Sequence, residues 1–99
     1  MGLVQMWSEH RDADCPHELT GLRIAGKDAQ ALDAEITACV SACLSHSFRI
    51  DERVERRLTE VSAALSVAET SLQPEAAQYC ARLNRLVGAV LVQTHAVNA

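Results

Sequence analysis

The chain has 99 residues, 48% of them hydrophobic but only 3% aromatic, and a formal net charge of −4. That length suits one domain with a modest core, and the apolar content excludes a disordered chain. The longest uncharged apolar stretch, 36–44, is interrupted by Thr37 and Ser41 and is far short of a membrane span, while the acid excess leaves no basic field for neutralising phosphates, so neither membrane nor nucleic acid is an expected partner.

Residues 1–27 hold most of the turn formers, Pro16, Gly21 and Gly26, and show no sustained period. They predict an arm with little regular structure, beyond a short helical turn near Leu3 to Ser8, whose Leu19, Leu22 and Ile24 pack on the helices that follow. The first residues lack the basic segment of a secretory signal, so a cytoplasmic location is expected. Thiols are then expected at Cys15, Cys39, Cys43 and Cys80. Eight Arg against one Lys, with sixteen Ala, point to a GC-rich bacterial genome.

From residue 28 the pattern is helical. Asp28 suits an N-cap, and Leu32, Ile36, Cys39 and Cys43, widened by Val40 and Leu44, form the stripe of a helix over 29–46. Asp51 is the next N-cap. Val54, Leu58, Val61, Leu65, Ala68 and Leu72 then alternate spacings of four and three across a helix over 51–72, with Glu52 and Arg56 placed as an exposed pair. Pro74 lacks an amide hydrogen and belongs in the first turn of a third helix, 74–96, with Ala76, Cys80, Leu83, Val87, Val90 and Leu91 inward. Short connections make these three neighbours antiparallel, so the fold class is all-α: an antiparallel three-helix bundle over 28–99.

The apolar stripe of the third helix is wider than two partner helices cover. Either the N-terminal arm closes the bundle to four helices or a second copy of the chain does. The expected function is a non-enzymatic interaction module, acting as adaptor, chaperone-like cofactor or small regulator, that forms a homodimer or packs on a larger protein. Its anchors are Leu58, Val61, Leu65, Leu86, Val90 and Val97. The same side chains also fit a monomer core.

Two other constellations carry chemistry. Cys39, Cys43 and His46 stand at i, i+4 and i+7, so one helix face offers two thiols and an imidazole to zinc or copper; both cysteines equally continue the core stripe as small hydrophobes. Arg53, Arg56 and Arg85 could hold a small anion, although Glu52, Glu55 and Glu60 interleave with the first two and cancel much of their field. His10, Asp12, Asp14, Cys15 and His17 crowd the arm without metal-site spacing and suit an exposed loop. No Gly-rich phosphate loop, nucleophile elbow or zinc-protease motif occurs in the sequence.

Short stretches resemble known helical enzymes. Residues 53–57 and 83–86 are similar to pieces of corrinoid adenosyltransferases, but Val87-Gly88 stand where that family has Ser-Asp. Residues 32–36 resemble the first helix of small chorismate mutases, but Cys43 occupies the place of the arginine that family needs. Neither catalytic pattern carries over to this chain.

Overall fold

The computed structural model describes residues 3–11, 19, 21–45 and 50–98. In chain order they form α1 (Leu3–Arg11), an antiparallel hairpin of β1 (Arg23–Ile24) and β2 (Lys27–Asp28), then α2 (Ala29–Ser45), α3 (Glu52–Glu69) and α4 (Pro74–Asn98). Apart from that hairpin, in which Arg23 pairs with Asp28 and Ile24 with Lys27, the fold is all-α as expected. No helix among the described residues is long and apolar enough to cross a membrane.

Local chemistry sets where the helices begin and end. Asp28 Oδ1 accepts from the Ala31 amide and Asp51 Oδ1 from the Val54 amide, both at 3.0 Å. Each carboxylate thereby satisfies a first-turn donor that has no partner inside its helix. Pro74 takes the first position of α4. α3 ends three residues before its expected limit of 72. There the Thr70 and Ser71 hydroxyls bond back to the Val67 and Ala68 carbonyls, and their amides close on the same two groups. Hydroxyl side chains that compete for main-chain carbonyls favour such stops.

The arm carries more structure than its sequence predicts. α1 has nine residues, and Met6, Trp7 and His10 turn inward from it. Because one of these inward positions is an imidazole, the stripe does not register as apolar. The hairpin turns on Ala25 and Gly26, with φ of 53° and 85°. This is the doubly left-handed geometry that two-residue hairpins favour and that Asn-Gly normally announces. An alanine there costs about 1 kcal/mol. Both turn carbonyls are held by guanidinium groups, Ala25 by Arg57 Nη1 at 2.9 Å and Gly26 by Arg23.

α4 lies at the centre and packs against α1, α2 and, most extensively, α3. This position explains its wide apolar surface: Tyr79, Cys80, Leu83, Leu86, Val87 and Val90 are all buried, divided among three neighbours. α1 thus closes the bundle to four helices. The anchors Leu58, Val61, Leu65, Leu86 and Val90 are each at most 1% exposed and belong to the chain's own core, so they cannot present an interface. Their heptad-like spacing serves packing of α3 on α4. The side chain of Val97 lies outside the described residues.

Candidate functional site

The structure separates the residues of the expected sites. Cys39 is half-buried on α2 and Cys43 is buried one turn later, while His46 lies outside the described residues, as do Asp12, Asp14, Cys15 and His17. Among the described residues no group of three or more His, Cys, Asp or Glu side chains could hold a metal ion. Burial pushes both thiols above their ordinary range, and Glu35 raises Cys39 further. The Thr94 hydroxyl beside Cys43 opposes this shift, yet it is itself fully buried without a hydrogen bond of normal geometry. Such thiols are small core hydrophobes with suppressed reactivity.

The three arginines also fall apart. Arg56 pairs with Glu52 at 3.6 Å, both side chains well exposed, in a shallow depression walled by Glu55 and Glu60, an arrangement that repels an anion. Arg85 is on α4. Asn84 beside it bonds Ser62 at 2.7 Å and Ser66 at 2.9 Å, which sets Arg85 roughly two helical turns from Arg56 along the α3 axis.

Two polar groups that the sequence does not assemble hold the molecule together. In the first, the Asp33 carboxylate on α2 accepts from His10 Nε2 at 3.0 Å, from Thr37 Oγ1 at 3.2 Å and from the Tyr79 hydroxyl. The His10 side chain is 2% exposed, its ring lies 5.1 Å from that of Tyr79, and its Nδ1 is buried without a partner. The group joins α1, α2 and α4.

In the second, Arg57 on α3 grips Glu35 on α2 through Nε and Nη2, at 3.0 to 3.3 Å, while Lys27 approaches the same carboxylate at 3.6 Å. The Arg57 guanidinium holds the Glu35 carboxyl below its ordinary value. Because Arg57 also bonds the Ala25 carbonyl, one side chain ties α2, α3 and the hairpin. Arg57 belongs to the run in which Arg53 and Arg56 sit exposed, and nothing in the charge pattern singles it out.

Among the described residues, a mostly apolar groove lies open to solvent. It runs between the hairpin side (Leu22, Arg23, Ile24, Ala25) and the last two turns of α3 with the residues after them (Ala64, Val67, Ala68, Ser71, Leu72), with a volume of about 420 Å³. Val67 stands 71% exposed on its rim. No family model, curated protein or solved structure matches this chain. The functional reading therefore rests on the groove and on the Arg57 group that holds its hairpin wall.

Proposed function

We propose that this chain is a non-enzymatic helical interaction module that forms a homodimer through the groove between the hairpin and the end of α3. The observation that carries this reading is an exposed valine standing on the rim of an open, mostly apolar groove. Val67 projects from α3 directly beside Ala64, Ala68 and Ser71, small residues that leave a hollow. A protrusion and a hollow on one patch are what a two-fold interface requires, because each copy's protrusion then enters the other's hollow. Residues 61–68 carry no charge, and Arg23, which also lines the groove, is exposed on the hairpin with its guanidinium on the Gly26 carbonyl. The hairpin wall is held by Arg57, so the groove is present before a partner arrives, which lowers the ordering cost of association.

Amide hydrogen exchange at low and high protein concentration tests this. Protection that rises with concentration in 64–72 and 22–25 supports the reading. Exchange at those amides that does not change with concentration contradicts it.

A further inference from the structure

A second cavity, of about 280 Å³, lies between α1 and α4 and is lined by Met6, Glu9, Arg82 and Arg85. Its walls are fixed by the polar group described above. His10 follows Glu9 directly and is locked into the interior on Asp33, and Tyr79, bonded to the same carboxylate, precedes Arg82 by one turn. The guanidinium groups of Arg82 and Arg85 stand three residues apart on one face of α4, where like charges repel. Among the described residues, neither forms an ion pair or a side-chain hydrogen bond. The Glu9 carboxylate across the cavity accepts from Gln5 at 3.5 Å instead. Opposite charges thus line one space without closing on each other. Arg85 also borders a shallow depression on its other side that contains Glu69.

We infer that this cavity binds a small zwitterion, a free α-amino acid with an apolar side chain, its carboxylate on Arg82 and Arg85, its ammonium on Glu9 and its side chain on Met6. Among the described lining residues two cations face one anion, which selects a carboxylate, and guanidinium groups present the paired donors that its two oxygens take. Glu9 disfavours a phosphate, whose extra negative charge it repels, and supplies the acceptor that an ammonium needs. The volume accommodates a ligand of amino-acid size. The Met6 thioether adapts to aliphatic side chains of differing shape. This site is distinct from the groove on the hairpin and α3, and its occupancy does not depend on association of two chains.

A nitrogen-15 NMR titration of the full chain with L-leucine tests the assignment, with L-leucinamide, N-acetyl-L-leucine and inorganic phosphate as comparison ligands. Saturable shifts confined to 6–9 and 82–85 are expected. Each blocked derivative and phosphate should bind at least about tenfold more weakly, the effect of losing one charge-assisted hydrogen-bonded contact. Arg85→Gln and Glu9→Gln, both at exposed positions and checked for unchanged helicity, should weaken leucine by a similar factor. Glu9→Gln should no longer distinguish leucine from its acetylated form. Absence of saturable shifts at millimolar leucine, or equal binding of leucine and either blocked derivative, overturns the assignment, as does phosphate binding as tightly as leucine.

Discussion

Asp33 illustrates how much one side chain can organise. Its two oxygens take three donors from three helices, and the nearest of these in sequence apart from Thr37 is His10, 23 residues away. Asp33→Asn replaces one acceptor oxygen by an NH₂ that faces donors, and should lower stability by about 1 to 3 kcal/mol, the cost of unsatisfied buried polar groups. Trp7, the single tryptophan, is half-buried on α1, so release of that helix would red-shift its fluorescence before the main urea transition. A wild-type midpoint and emission in the variant would refute the role given to Asp33. The sequence shows Asp33 as a polar residue beside a core stripe and His10 as one of several polar residues in the arm. Only tertiary packing brings them together, because no local period links positions on α1, α2 and α4.

The hairpin and the helices are joined by Glu35 and Arg57, and that staple gives the fold an acid limit. Arg57 holds the Glu35 carboxyl below its ordinary value of 4.5 in the folded chain. A depressed folded-state pKa stabilises above the unfolded value and loses that stabilisation as the pH falls through the folded one. Melting temperature should therefore drop on acidification below about pH 4.5, and the drop should be shallower in Glu35→Gln. Equal acid slopes in the two proteins would show that the pair contributes nothing. Within α4, a Cβ on Gly88 would meet no atom within 4 Å, so the residue is a weak point rather than a close contact. Gly88→Ala should raise stability by about 0.5 to 1 kcal/mol in urea unfolding; a loss would mean that α4 needs the space. Capped helices were the legible elements: Asp28, Asp51 and Pro74 mark starts that the structure keeps. The hairpin was not legible, because Ala25 occupies a left-handed position without the Asn or Asp that signals one.

Across the whole molecule, the apolar stripe of α4 from Tyr79 to Val90 is covered by α1, α2 and α3, so its width does not call for a second chain. The spacing of Leu58, Val61 and Leu65 identified buried positions without distinguishing an interior from an interface, since both bury one helix stripe in the same way. The open apolar face lies instead where a short hairpin meets small residues on α3, a combination visible only after folding. Sedimentation equilibrium at tens of micromolar tests the proposed homodimer most directly. The account predicts twice the 10.7 kDa of one chain for the wild type and for Val92→Glu, which alters an exposed valine elsewhere, and 10.7 kDa for Val67→Glu. A wild-type mass of 10.7 kDa throughout the concentration range, or a dimer that survives Val67→Glu, would contradict it.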